Sequence, residues 1–197
     1  MPAHNPLSEA RSASSIGGAA RGACPRVFFA LWPEPGVQAS LQAWGQAWAA
    51  VAGGRPCRAA SIHLTLAFLG EMAPGGPALE PVRVAAAACA LRPFTLVIDR
   101  AGCFPGRRLG WLGPGRCPPE LLDAVDQLRR ALTGAGVAFD PQPFVPHVTV
   151  LRGVRRFEYA APPPPVQWPV ASFALMASVP GEGGRIYRRL GEWSAAP

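Results

Sequence analysis

A chain of 197 residues, 49% hydrophobic and 16% charged, can bury a core of one compact domain and lacks the composition of a disordered segment. The formal charge of +7 permits an acidic partner, yet there is no lysine and one asparagine, Asn5, beside abundant Arg, Ala, Gly and Pro. Such a bias is that of GC-rich coding, so part of the arginine count is discounted as evidence for a polyanionic substrate, and no apolar run approaches the roughly 18 residues of a membrane helix.

Residues 1–24, rich in Ala, Ser, Gly and Arg, are expected to form a flexible N-terminal tail, with an Arg-rich transit leader as the alternative. Residues 25–197 are expected to make a single domain. Arg26–Trp32 (RVFFALW) suits a buried strand, stopped by Pro33 and Pro35. From Gly36 to Val51, Val37, Leu41, Trp44, Trp48 and Val51 recur at spacings of three and four and predict a helix, broken by Gly53–Pro56. Core packing is the favoured reading of Trp44 and Trp48, ahead of base stacking. A strand follows at Ile62–Leu69, then a helix from Pro77 to about Leu91. Strands at Phe94–Ile98 and Leu109–Leu112 are expected to be joined by a loop around Gly102–Gly106. The next helix starts at Pro118–Pro119, where proline in a first turn loses no hydrogen bond, and ends at Gly134 and Gly136. A strand at Phe144–Leu151, a proline linker at Pro162–Pro165, and strands near Val170–Val179 and Arg185–Leu190 complete the chain. Alternating helices and strands with hairpin-like neighbours indicate an α+β domain.

Five cysteines, Cys24, Cys57, Cys89, Cys103 and Cys117, are scattered without a C-x-x-C pair, which indicates reduced thiols in a cytoplasmic protein and no zinc knuckle.

The chemistry lies in the histidines. His4 falls in the expected tail, whereas His63 and His147 each stand two residues before a threonine, as His63-Leu64-Thr65-Leu66 and His147-Val148-Thr149-Val150, in a chain with four threonines. On a strand, residues i and i+2 share a face. His63 and Thr65 therefore oppose Ile62, Leu64, Leu66 and Phe68, and His147 and Thr149 oppose Pro146, Val148 and Val150. Two such strands side by side offer two imidazoles and two hydroxyls to one cleft. That set suits in-line displacement at phosphorus: one imidazole takes a proton from water, the other protonates the leaving oxygen, and the hydroxyls hold the non-bridging oxygens. A single histidine on a half-buried strand is most often structural, and a strand threonine serves β-propensity; the repeated context outweighs both readings. No metal is expected, because two histidines fall short of the three protein ligands of catalytic zinc and neither strand adds a carboxylate. The clusters Arg107–Arg108 and Arg152, Arg155 and Arg156 read as surface unless placed otherwise.

Several segments carry a resemblance: RVFFALWP at 26–33, HLTLAFLGE at 63–71, WLG at 111–113, PFVPHVTVLR at 143–152 and GGRIYRRLGEW at 183–193. Together they resemble the two-histidine phosphoesterases, and within them the RNA 2′,3′-cyclic phosphodiesterases, also described as LigT-like or 2′-5′ RNA ligases. The resemblance implies a bilobal, duplicated α+β fold with two antiparallel-rich sheets lining a central cleft and helices outside. It also implies metal-free hydrolysis of RNA 2′,3′-cyclic phosphates to 2′-phosphates, with reversible 2′-5′ ligation. His63 would then be acid to the leaving 3′-oxygen, His147 base to water, and Thr65, Thr149 and Arg152 would bind phosphate. Strict alternation puts Arg152 on the face opposite His147, so it reaches phosphate only where the strand ends or bulges near Gly153. RAASI at 58–62 stands where a Pro-Glu-Asn-like lead-in is common, a departure at the cleft rim. No cofactor is expected. The expected partners are RNA 3′ ends or small cyclic-phosphate nucleotides, with no membrane, and the protein is expected to be a monomer. The alternatives are a phosphodiesterase for a small cyclic nucleotide or ADP-ribose cyclic phosphate, and a non-catalytic RNA-binding module.

Overall fold

Among the described residues, three α-helices cover one face of an antiparallel sheet and leave the opposite face to the cleft. The computed structural model describes residues 24–73, 78–156, 164–182 and 184–195. The expected tail lies outside these apart from Cys24, which is exposed, as do Pro162 and Pro163 of the expected linker.

In chain order the elements are β1 (Arg26–Leu31), α1 (Pro35–Ala52), β2 (Arg55–Pro56), β3 (Leu64–Glu71), α2 (Leu79–Ala87), β4 (Phe94–Ile98), β5 (Arg100–Phe104), β6 (Leu109–Gly113), α3 (Pro119–Gly134), β7 (Val148–Arg152), β8 (Val166–Val170), β9 (Ser172–Gly181) and β10 (Gly184–Ser194). The larger sheet runs β10-β9-β1-β3-β7-β6-β5, with β2 also paired to β7. The junction between β3 and β7 is a single residue pair, Leu64 with Val148. The two antiparallel halves expected from the resemblance are therefore continuous, but only through the point where the two H-x-T segments meet.

The core lies between this sheet and the helices. Val27, Phe29 and Leu31 of β1, Leu64 of β3 and Val148 of β7 are buried there. Helix α1 packs against β7 and β2, while α3 packs on β3 and α2. The buried stripe of α1 is Gln38, Leu41, Gly45, Trp48 and Ala52. The periodicity predicts Val37, Trp44 and Val51 as well; the first two are half-buried and Val51 is 46% exposed. The helix is turned by the backbone of β7. A Cβ on Gly45 would stand 2.9 Å from the Val150 carbonyl oxygen, so glycine sets how closely helix and strand approach. Trp48 is buried in the core and meets Trp44 edge-on at 5.2 Å, in accord with the packing reading.

Three strands are not legible in the sequence: β2 lies in the stretch expected only to break the first helix, and β5 and β8 are masked by glycine and proline. The expected loop at Gly102–Gly106 is largely β5, with a short 3-10 turn at Pro105–Arg107. Gly102 lowers the strand signal, yet it is needed there: the Trp111 ring of the paired strand lies where a side chain would sit, 2.0 Å from an added Cβ. β8, at the edge of the expected proline linker, contains Pro169 and pairs only with β4, as the two-stranded ribbon β4-β8. Proline survives in such an edge strand because its missing N–H costs no ladder bond on the open side. The strand predicted at Phe144–Leu151 begins later, at Val148, so His147 immediately precedes it. Among the described residues no helix is long and apolar enough to cross a membrane.

Candidate active site

The Leu64–Val148 pair organises the site. Both side chains are fully buried on the core face. Their neighbours His63, Thr65, His147 and Thr149 are half-buried on the opposite face. An antiparallel ladder carried one step either way from this pair sets His63 beside Thr149 and Thr65 beside His147. The structure thus brings both predicted H-x-T sets to one patch of sheet.

Each imidazole is held in the same way. The Nδ1–H of His63 donates to the Ser61 carbonyl at 2.8 Å, and that of His147 donates to the Val145 carbonyl at 2.7 Å. A carbonyl can only accept, so each bond fixes the proton on Nδ1 and leaves Nε2 for chemistry. The segment before His63 is itself tied to α1: Gln42 donates to the Cys57 carbonyl at 3.3 Å and Gln38 to the Ile62 carbonyl at 3.4 Å. The unusual RAASI lead-in forms a 3-10 turn over Ala59–Ser61, whose last carbonyl is the one that orients His63.

Arg152 joins the histidines by means of a bulge. Trp111 pairs with Thr149 and Gly110 with Leu151, so Val150 is skipped in the ladder. The extra residue reverses the alternation: Val150 and Leu151 are both buried, and Arg152 returns to the face of Thr149. The bulge that this role requires thus falls at Val150, ahead of Gly153. The Val150 carbonyl accepts from the Cys57 N–H at 2.8 Å, which keeps the irregular backbone satisfied. β3 repeats the device. Thr65 pairs with Ala30 and Ala67 with Phe29, so Leu66 is skipped and Phe68 turns to the cleft face, opposite Phe28. That corrects the expectation that Phe68 shares the apolar face of Leu64. Phe68 and Arg152 occupy equivalent places, five residues after their histidines.

Aromatic walls surround the imidazoles. The His63 ring stacks parallel to Trp32 at 5.2 Å, lies 5.0 Å from Phe28 and meets Tyr187 edge-on at 5.4 Å. Phe104 meets His147 edge-on at 5.0 Å. Burial pushes His63 down from 6.5 to about 4, helped by the charges of Arg152 and His147 and opposed by the Ser61 carbonyl. Burial also lowers His147, with the Val145 carbonyl opposing and Arg107 adding to the fall. Both imidazoles of the free protein are therefore neutral near pH 7. A cavity of about 710 Å³ on the His147 side is lined by Arg26, Thr65, Phe68, Phe104 and Arg107 among others.

Arg107, Phe28, Trp32, Phe104 and Tyr187 are not singled out as site residues by the sequence. A partial signal exists in RVFFALW, whose even positions Phe28, Ala30 and Trp32 form a second apolar cluster on the cleft face, separate from the core. Arg155 and Arg156 are exposed beyond the strand end, in keeping with a surface reading. Among the described residues no three His, Cys, Asp or Glu side chains gather as a metal site.

A two-lobed antiparallel sheet whose paired H-x-T strands face one cleft defines the class of two-histidine phosphoesterases. Comparison with known proteins agrees, and it names the branch. The chain belongs to the 2′-5′ RNA ligase superfamily, whose family model matches residues 33–182. It is 32% identical over 171 residues to the RNA 2′,3′-cyclic phosphodiesterase of Escherichia coli K12, covering 86% of this chain and 96% of that one. The crystal structure of E. coli LigT complexed with 3′-AMP superposes with a TM-score of 0.80 at 30% identity, covering 88% of this chain and 99% of that one. The protein TT0787 of Thermus thermophilus gives a TM-score of 0.66 at 27% identity, over 86% of this chain and 97% of that one.

Proposed function

We propose that the protein hydrolyses RNA 2′,3′-cyclic phosphate ends to 2′-phosphates, without a metal, by acid–base catalysis on His63 and His147. The observation that carries this reading is the single Leu64–Val148 junction, which sets two backbone-clamped imidazoles and two threonines on one face. The relatives bear on the substrate, since the E. coli protein that this chain resembles is an RNA 2′,3′-cyclic phosphodiesterase.

In the forward reaction a water oxygen attacks phosphorus and gives its proton to Nε2 of His147. The bond from phosphorus to the 3′-oxygen breaks opposite the attack, and that oxygen takes the proton carried on Nε2 of His63. The 2′-oxygen keeps the phosphate. Thr65, Thr149 and Arg152 donate to the non-bridging oxygens as charge builds there. His63 must be protonated for this turn although it is neutral in the free protein. The anionic phosphodiester supplies the opposite charge that draws the proton in, since a neighbouring anion favours the imidazolium. With an RNA 5′-hydroxyl attacking in place of water, the same course joins two ends through a 2′-5′ linkage, and its reversal cleaves them. The same reading places the protein in the cytoplasm, as a monomer whose partners are RNA 3′ ends.

The test is incubation of the purified protein, in EDTA, with an RNA oligonucleotide ending in a 2′,3′-cyclic phosphate. Phosphatase sensitivity and mass then identify the end group. Conversion to a 2′-phosphate is expected. No turnover by folded protein, beside a working control enzyme, would move the assignment to a small cyclic nucleotide or to binding alone.

A further inference from the structure

On the far side of His63 from the large cavity lies a second one, of about 500 Å³, bounded by Trp32, Arg58, Ser61, Arg185, Tyr187 and Arg189. It shares its walls with the catalytic patch: Trp32 and Tyr187 are the rings that box His63, and Ser61 supplies the carbonyl that orients it. The arginines differ in their pairing. Arg189 forms an ion pair with Glu192. Arg58 and Arg185 have no carboxylate partner among the described residues, yet they are held together, because Arg58 donates through Nη2 to the Arg185 carbonyl at 3.2 Å. Arg185 is fixed in turn by Ser178, a buried residue, donating through Nε to its hydroxyl at 3.0 Å and through Nη2 to its carbonyl at 2.8 Å. Two guanidinium groups held beside aromatic rings, with no carboxylate among the described residues to neutralise them, form a site for an anion attached to a flat ring.

We infer that this cavity binds the RNA chain upstream of the cyclic phosphate, with Arg58 and Arg185 on the phosphodiester 5′ to the terminal nucleoside and Trp32 and Tyr187 beside its sugar and base. The inference rests on the proposed function and deepens it. The leaving 3′-oxygen belongs to the ribose from which the chain continues toward its 5′ end. If His63 protonates that oxygen, the ribose stands on the His63 side of phosphorus, still bonded to it through the 2′-oxygen, so the chain runs on toward this cavity while water enters from the His147 side. The cavity then makes the protein an enzyme of polynucleotide ends that discriminates against cyclic mononucleotides, which have no upstream phosphodiester.

The experiment compares a dinucleotide and a mononucleoside, each ending in a 2′,3′-cyclic phosphate, as substrates of wild type, Arg58→Gln and Arg185→Gln. Arg92→Gln, at an arginine paired with Asp123, is the control. The ratio of dinucleotide to mononucleoside kcat/KM should fall about tenfold in Arg58→Gln, as expected for losing one charge-assisted bond, and stay unchanged in the control. In parallel, fluorescence anisotropy measures binding of a single-stranded RNA with a 3′-terminal phosphate. The slope of log affinity against log salt should become shallower by about 0.7 in either variant. Arg58→Gln, at an exposed position, keeps the test informative if Arg185→Gln fails to fold. Hydrolysis with an unchanged ratio and unchanged salt slope overturns the subsite and leaves the proposed function standing. Salt-sensitive binding lost in the variants, without hydrolysis by wild type, overturns the proposed function and keeps the subsite. Neither binding nor hydrolysis overturns both.

Discussion

Removal of either catalytic side chain sets the clearest expectation at the scale of single residues. His63→Ala and His147→Ala should each lower kcat/KM by at least about 100-fold, the usual range for a positioned acid or base. Circular dichroism should show the fold intact. Activity retained in either variant would remove that histidine from the reaction. Thr65→Ala and Thr149→Ala remove one donor to a developing charge and should cost roughly 2–4 kcal/mol in kcat/KM. The pH dependence follows from the burial of the two imidazoles. Turnover needs one neutral and one protonated ring, and both free-protein values lie below the ordinary 6.5. As pH rises past the higher of the two, the protonated form disappears, so kcat/KM should form a bell centred below pH 6.5. In the complex the phosphate anion lifts the acid, so the bell for kcat should lie at higher pH. Coincident bells would mean that the bound anion does not retune the pair.

Secondary-structure elements determine whether these residues meet, and here the two bulges are decisive. Val150 and Leu66 are each skipped by a partner strand, which turns Arg152 and Phe68 toward the cleft. The H-x-T pairs are legible in the sequence because they need only local alternation. The bulges are not, since a skipped residue is fixed by the register of the neighbouring strand and by the helix packed on it. The same reasoning explains why Phe104 and Tyr187 escape notice: each reaches its histidine from a strand remote in sequence. Gly45 offers a direct test of the bulge. An added Cβ would meet the Val150 carbonyl oxygen at 2.9 Å and its Cβ at 3.1 Å, so helix or bulge must move. Gly45→Ala should destabilise by about 1–3 kcal/mol, the range for overpacking, despite alanine's better helix propensity. Because the displaced strand carries Thr149 and Arg152, kcat/KM should fall too, read beside the urea midpoint. A stabilised variant with full activity would show that Val150 has room to yield and that the helix does not set the bulge.

Across the whole molecule, the catalytic pair couples folding to protons. The fold keeps His63 neutral down to about pH 4, whereas in the unfolded chain the same ring titrates near 6.5. Above pH 6.5 the ring is neutral in both states, and stability is unaffected by it. Between 6.5 and about 4 the unfolded chain binds a proton that the folded chain refuses, so stability falls with pH, by up to about 1.4 kcal/mol per unit for one such group. Burial lowers His147 as well, so its loss has the same sign. Urea denaturation at pH 7.5 and 5.0 should show this drop, and His63→Phe, an uncharged ring in the same aromatic box, should have the shallower dependence. A 2′-phosphorylated nucleotide reverses the sign locally, because an anion beside the imidazoles favours their charged form. Its binding at pH 7.5, where the phosphomonoester is already dianionic, should therefore take up protons, seen as a calorimetric heat that varies with the ionisation enthalpy of the buffer. A heat independent of buffer would mean that the bound phosphate leaves both rings neutral, and the acid–base assignment would lose its source of a proton. Proton uptake that disappears in His63→Phe and persists in His147→Phe would identify His63 as the group that carries it.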